Sequence, residues 1–256
     1  MPTIESPSLA RLPSLRRLWR EAFGDGDAFL DDFMRTAFSP DRARCVTEAG
    51  EAVAALYWLD ASIDGHRIAY LYAIATKQSH RGRGLCRLLM EDTHDLLARA
   101  GYDGALLVPS EPSLFDFYAR FGYAPCAPMR ILTAAAAPSP CALSVRRITA
   151  EEYGVWRKRL LPRGGVVQDE GSLRFLETQY ALYAGDGWIT AARKEGRTLI
   201  ATELLGDEGL APAIVAALGC THGQFRVAGT HTPFAMIRPL TDKPLPSPTY
   251  FSLAFD

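Results

Sequence analysis

The sequence predicts an α/β protein made of two successive units, each with helices leading and strands following. Three observations predict it. Apolar residues recur at helical spacing early in the chain and then give way to strand-like apolar runs. The same order of elements returns in the second half. Between the halves lies "AAAAPSP" (134–140), a low-complexity, proline-containing stretch that reads as a linker. The expected division is residues 1–138 and 141–256. No residue-level repeat relates the halves; only the order of elements does.

Leu12 to Phe23 reads as an amphipathic helix and Ala28 to Ala37 as a second, with "GDGD" breaking between them. Arg44–Glu48 and Ala52–Ile63 read as strands joined at "AGE", and "DGHR" turns into a third strand, Ile68–Thr76. Leu85, Leu88, Leu89, Leu96, Leu97 and Ala100 recur at helical spacing until Gly101 ends the helix. "ALLVP" (105–109) is a short buried strand, and "PSLFDFYARFGY" a short helix opened by proline and closed by glycine. The second half predicts a strand at Val145–Ile148, two helices within Glu151–Ala184, and strands at Trp188–Arg193 and Thr198–Leu205. A helix at Ala211–Leu218 follows, then strands at Gln224–Ala228, Phe234–Ile237 and Tyr250–Ala254.

A formal net charge of -1 supplies no global attraction to nucleic acid or an anionic membrane, so any anion must be held locally. No apolar run approaches the roughly 20 residues of a membrane span, and the first twenty residues lack a secretory apolar core. Five scattered cysteines without a CxxC, and dispersed histidines without a paired motif, argue against a disulfide framework or a metal site and for a reducing cytoplasm.

The chemistry concentrates in "ATKQSHRGRGLCRLL" (75–89), where a strand end runs through a basic, glycine-containing turn into a helix. A helix N-terminus leaves amides unpaired and carries partial positive charge, which suits phosphate. Gly82 and Gly84 permit close approach, and Arg81 and Arg83 add charge-assisted donors. His80 is either a further phosphate contact or an exposed turn histidine. From these residues alone, a solvated basic turn without ligand is an equal reading. The spacings of a P-loop and of GxGxxG are absent.

The stretch resembles the GNAT superfamily of acetyl-CoA-dependent N-acyltransferases, whose motif R/Q-x-x-G-x-G/A falls on Arg81, Gly84 and position 86 of "RGRGLC". A second family motif, a helical tyrosine before a Gly-aromatic pair, is matched by Tyr118, Gly122 and Tyr123 in "FYARFGY". The resemblance covers residues 1 to 133 and departs at Cys86, where Gly or Ala is commonest. It implies a mixed-sheet GNAT fold and a CoA pyrophosphate held by the amides of Arg81, Gly82, Arg83, Gly84, Leu85 and Cys86. The main chain of Ile74, Ala75 and Thr76 would pair with the pantetheine arm as an added strand does. Tyr118 would be the proton donor; without the resemblance, an aromatic at helical spacing is more often core. The implied reaction moves acetyl from acetyl-CoA to a small-molecule or peptide amine by direct attack in a ternary complex. A non-catalytic acyl-CoA-binding module is the alternative, and an interaction protein that has lost its ligand a third.

The second half resembles a degenerate GNAT unit, as in the tandem acetyltransferases of the enhanced-intracellular-survival type. "DEGLAP" replaces the basic turn after "LIATELLG", and Asp207 and Glu208 would repel a pyrophosphate. In the longer relatives the C-terminal carboxylate reaches the first unit's active site, which implies a proton-accepting role for Asp256. The apolar run Phe251, Leu253, Phe255 is then an anchor, or equally a last core strand. The base is open: Glu111 is a cleft residue or a solvated loop carboxylate, and Tyr70 and Tyr72 line the acceptor side or simply pack the sheet. The four aspartates of "GDGDAFLDD" attract a cationic amine or, more commonly, cap a helix.

Overall fold

The structure is a computed structural model that describes residues 2–138 and 143–255. Packing gathers the chain into two units, residues 1–107 with 238–245, and residues 108–237 with 246–256.

In the first unit, strands β1 (Thr3–Glu5), β2 (Ala43–Glu48), β3 (Glu51–Ile63), β4 (His66–Thr76) and β5 (Gly104–Leu107) lie side by side in chain order. Pairing is antiparallel as far as β4 and parallel between β4 and β5. A parallel pair needs a crossover, and helix α3 (Leu85–Arg99) supplies it. Helices α1 (Leu12–Phe23) and α2 (Asp27–Thr36) precede the long strands. Pro13 starts α1, and Gly24 ends it in a left-handed conformation with its N–H 2.9 Å from the Arg20 carbonyl. The buried stripe Leu15, Leu18, Trp19 meets the sheet, with Leu30 and Phe33 of α2 beside it. The β3–β4 hairpin turns on Asp64 and Gly65, both with positive φ, as the two-residue turn matching strand twist requires.

His94 sits on the buried face of α3, its Nδ1 2.9 Å from Nη1 of Arg238. Burial and the Arg238 charge push its pKa down to about 3. Folded His94 is therefore neutral where the unfolded chain takes up a proton, so this stability contribution is present above about pH 6.5 and is lost as pH falls. Unfolding followed against pH should show a slope of up to about 1.4 kcal/mol per pH unit from this group between about 6.5 and 3. His94→Gln should flatten that slope. An identical pH profile in the variant would remove His94 as its source.

The second unit contains α4 (Ser113–Ala119), β6 (Ala124–Ala135), β7 (Arg146–Arg147), α5 (Ala150–Leu160), β8 (Val167–Gln168) and α6 (Glu170–Gln179). It continues with β9 (Ala181–Gly185), β10 (Trp188–Glu195), β11 (Thr198–Leu205), α7 (Ala211–Ala217) and β12 (His222–Pro239), whose last two residues belong to the first unit. The strands run β7-β9-β10-β11-β12, with β6 on the other side of β12. Two helices, three antiparallel strands, a crossover helix and a parallel strand thus occur in both units: α5, α6, β9, β10, β11, α7, β12 echo α1, α2, β2, β3, β4, α3, β5. Thr149 caps α5 reciprocally with Glu152, a pairing written in the sequence as Thr-x-x-Glu.

Three expectations need correction. The linker begins later than Ala134: Ala134 and Ala135 end β6, and the amides of Ala136 and Ala137 bond the carbonyls of Thr221 and Pro212. Of the rest of that linker, Pro138 is described, and Ser139 and Pro140 lie outside the described residues. The two strands expected at 224–228 and 234–237 are one strand, β12, interrupted by a register shift between Ala228 and Pro233. Tyr250–Ala254 is not a strand; it is an irregular buried tail touching Gly165 by a single bridge at Tyr250.

Candidate active site

The site-forming elements of the first unit are the end of β4, the turn after it and the start of α3. Parallel pairing of β4 with β5 runs from Ile68–Gly104 to Tyr70–Leu106, whereas β4 continues to Thr76. Past Tyr70 only the β3 edge of the strand is held, by Ala75 against Ala55 and Thr76 against Ala54. Between the Tyr72–Tyr57 and Ala75–Ala55 pairs β4 carries an extra residue, and Ala73 takes φ 49°, a left-handed value an alanine adopts at about 1 kcal/mol. The bulge bends the strand just before Ile74, Ala75 and Thr76, which lie beyond the end of the β5 pairing.

After Thr76 the chain is braced rather than loose. Lys77 N–H bonds the Val53 carbonyl at 2.8 Å, and the Gln78 amide donates to Glu21 Oε1 at 2.7 Å. Glu48 of β2 ties the turn down: Arg83 donates to both its oxygens at 2.8 and 2.9 Å, and His80 Nε2 lies 3.1 Å away. The Arg83 guanidinium accordingly holds the Glu48 carboxyl below its usual range. Arg83 and His80 therefore shape the turn by gripping Glu48. Arg81 is different: its Nε reaches back to the Thr76 carbonyl at 3.2 Å, and among the described residues it forms no ion pair.

Gly82 and Gly84 have φ of 75° and 76°, and a Cβ on either would meet no atom within 4 Å. Both the conformation and the open space above it admit a ligand to the backbone. Gly84 caps α3 without a side-chain hydrogen bond, and the first return bond is Leu88 N–H to Gly84 O at 3.0 Å. The amides of Leu85, Cys86 and Arg87 precede that bond and face the open end of the helix, the position that favours an anion. Leu85 is buried beneath them. The Cys86 thiol is half-buried, and burial pushes its pKa up to about 11, so it stays protonated at neutral pH and is no nucleophile there.

The predicted residues from Ile74 to Cys86 thus come together on one strand–turn–helix. Tyr118 belongs to the second unit, in α4, where its ring lies edge-on to Phe117 and Tyr123 at 5.2 and 6.1 Å. Glu111 is exposed and accepts a bond from Ser113 Oγ at 2.7 Å, as a loop carboxylate does. Asp256 lies outside the described residues. Ala73, Glu21 and Glu48 escaped the sequence reading. Their roles depend on strand register and on partners 35 to 57 positions away, which no local pattern records.

The second unit's counterpart of the turn is differently built. Asp207 turns its carboxylate onto the Gly209 amide at 2.9 Å, and Glu208 pairs with Arg130. The β11–β12 pairing ends at Ala201–Phe225, and just beyond it Thr202 and Arg226 both donate to the Ser252 carbonyl, at 3.2 and 3.4 Å. Gln168 Nε2 holds the Leu253 carbonyl at 2.9 Å. Within the second unit the protein's own tail thus occupies the place beyond the end of the β11–β12 pairing, whereas in the first unit no such tail is bonded beyond the β4–β5 pairing among the described residues. Among the described residues there is no cluster of three or more His, Cys, Asp or Glu side chains that could hold a metal ion, and no helix long and apolar enough to cross a membrane.

Residues 4–126 match the family model of the acetyltransferase (GNAT) domain. Similar solved structures include a GCN5-related N-acetyltransferase from Kribbella flavida, at 17% identity over 93% of this chain and 71% of that one, with a TM-score of 0.72. Eis1 from Mycobacterium abscessus aligns at 15% identity over 94% and 74% of the two chains, with a TM-score of 0.69. A tandem GNAT protein from the clavulanic acid biosynthesis pathway aligns at 14% identity over 95% and 100%, with a TM-score of 0.58. At these identities the likeness is one of fold, two GNAT-like units in one chain. No curated protein matches the sequence.

Proposed function

We propose that this chain, which belongs to the GNAT superfamily through its acetyltransferase domain at residues 4–126, is an N-acetyltransferase using acetyl-CoA and a primary amine. The observation that carries the reading is the open N-terminus of α3, with glycines of positive φ and first-turn amides facing outward. A diphosphate suits it because several donors converge there and Arg81 adds charge beside them. The edge of β4 at Ile74, Ala75 and Thr76 would take the pantetheine amides as an added strand. One cofactor site per chain follows, because Asp207 and the buried tail occupy the equivalent places in the second unit. The division near residue 140 is likewise proposed as the boundary between an acting unit and a degenerate one.

When bound, acetyl-CoA supplies a thioester carbonyl for attack by the neutral amine nitrogen. The chain must then hold the two reactants, give a proton to the departing sulfur and take one from the nitrogen. Tyr118 is assigned the first proton by its place in the "FYARFGY" motif. The C-terminal carboxylate at Asp256 is assigned the second. The thiol of Cys86 is protonated, which favours direct attack over an acyl-enzyme.

Release of free CoA thiol with a set of primary amines tests the reaction, and thiol release that never depends on amine leaves only a binding module. The terminal carboxylate is tested by amidating Asp256 and, separately, by removing Asp256 alone, because the shortened chain still ends in a carboxylate on Phe255. A longer deletion would also take out Phe255, whose buried ring packs on Phe175 at 4.9 Å, and would confound chemistry with folding. Undiminished turnover with Asp256 amidated would withdraw its assignment.

A further inference from the structure

The turn between β4 and α3 carries two arginines with different commitments. Arg81 forms no ion pair among the described residues, and its one side-chain bond there runs from Nε to the Thr76 carbonyl at 3.2 Å. Arg83 stands between the two left-handed glycines and spends both ends of its guanidinium on Glu48 of β2. Its Nη2 donates to Oε1 at 2.8 Å and its Nη1 to Oε2 at 2.9 Å. His80 Nε2 lies 3.1 Å from the same Oε2, while its Nδ1 is 2.8 Å from Ser79 Oγ. Beside these side chains the amides of Gly82, Arg83 and Gly84 meet no acceptor among the described residues.

From this arrangement we infer that Glu48 is a positioning residue that sets the selectivity of the turn: it keeps Arg83 and His80 off an incoming anion, so that phosphate is met by main-chain amides and Arg81 alone. This inference rests on the acetyltransferase reading and specifies how its cofactor site separates acetyl-CoA from free phosphates. Amides are fixed by the turn, whereas a released guanidinium swings to any phosphate within its reach. A diphosphate tethered through pantetheine to the strand edge cannot shift toward it. An untethered pyrophosphate can.

Magnitudes decide the sign of the effect. The Arg83 and Glu48 side chains are 46% and 29% exposed, and an exposed ion pair shifts an equilibrium by no more than about 5-fold. A charge-assisted bond from guanidinium to phosphate contributes about 10-fold or more. Loss of the Glu48 charge therefore strengthens the hold on a free anion by more than it loosens the turn.

Calorimetric titration of the full chain with inorganic pyrophosphate and with acetyl-CoA tests the inference. Glu48→Gln keeps an acceptor and a similar shape but removes the charge. It should tighten pyrophosphate about 10-fold and change acetyl-CoA by no more than about 3-fold. In the double variant Glu48→Gln/Arg83→Gln the gain should fall away. A carboxylate that merely supported the turn would, on substitution, weaken both ligands and tighten neither. Unchanged or weaker pyrophosphate binding in Glu48→Gln, an equal gain for acetyl-CoA, or a gain that persists in full in the double variant would each overturn the inference. Acetyl-CoA binding to the unaltered chain separates the outcomes: its absence strikes the acetyltransferase reading, whereas failure with pyrophosphate alone strikes only the role of Glu48.

Discussion

Tyr118→Phe should lower kcat for thiol release by about 10²-fold while leaving acetyl-CoA affinity within about 2-fold. The substitution removes one hydroxyl and keeps the ring, which is 8% exposed and packed edge-on to Phe117 and Tyr123. Packing is thereby preserved, and the lost atom is the one assigned a proton transfer. General acids contribute about 10² to 10⁴-fold, and the low end applies because a thiolate, with a pKa of about 8.5, leaves without much help. The drop should shrink as pH falls and solvent supplies the proton. Steady-state thiol release and calorimetric binding, measured on the same preparation, distinguish this from a structural effect. Full turnover in the variant would take the acid role away from Tyr118.

Glu203→Ala should be the most damaging single change to the fold. The Glu203 side chain is wholly buried and accepts from Arg157 Nε and Nη2 at 2.9 and 3.1 Å, Tyr153 OH at 2.8 Å and Ser252 Oγ at 2.7 Å. Arg157 is itself buried, with Nη1 on the Val166 carbonyl at 2.7 Å. Removing the carboxylate leaves a guanidinium without its counter-charge in a dry interior, which costs about 3–5 kcal/mol. For a chain of this length that corresponds to a fall in Tm of roughly 10 °C. Because Ser252 loses its anchor, the tail should also become accessible to protease before the rest of the second unit. Glu203→Gln, which keeps an acceptor but not the charge, should fall between. A Tm within about 2 °C of the unaltered chain for Glu203→Ala would show that the network does not carry this weight.

The elements legible in the sequence were those whose signal is local. Helix α1 follows from Pro13, the Leu15–Leu18–Trp19 stripe and Gly24, and its observed ends coincide with the expected ones. The glycine turn into α3 is likewise local, because Gly82, Gly84 and the succeeding leucines sit side by side in sequence. Strand β6 was missed because Pro125 and Pro128 argue against a strand. They are tolerated because among the described residues β6 pairs with β12 alone, and no pattern within the strand announces that position. The Ala73 bulge was invisible for a related reason: alanine carries no left-handed preference, so register with β3 imposes the conformation. The turn's basic residues were read as a set, yet Arg83 and His80 are committed to Glu48 on another strand. Ionic roles set by distant partners become readable only in three dimensions. The tail shows the same limit. Its apolar alternation suggests a strand, whereas Ser252 and Leu253 spend their carbonyls on Thr202, Arg226 and Gln168 side chains.

Calorimetric titration of acetyl-CoA into the unaltered chain and into Gly84→Val tests the cofactor site most directly. Valine at position 84 would have to adopt φ near 76° or rebuild the turn, and its side chain would stand in the space open to a diphosphate. Saturation at one acetyl-CoA per chain, abolished by Gly84→Val while thermal unfolding stays cooperative, is the predicted result. Absence of binding, two sites per chain, or unchanged affinity in Gly84→Val would contradict a single acetyl-CoA site built on the turn from Arg81 to Cys86.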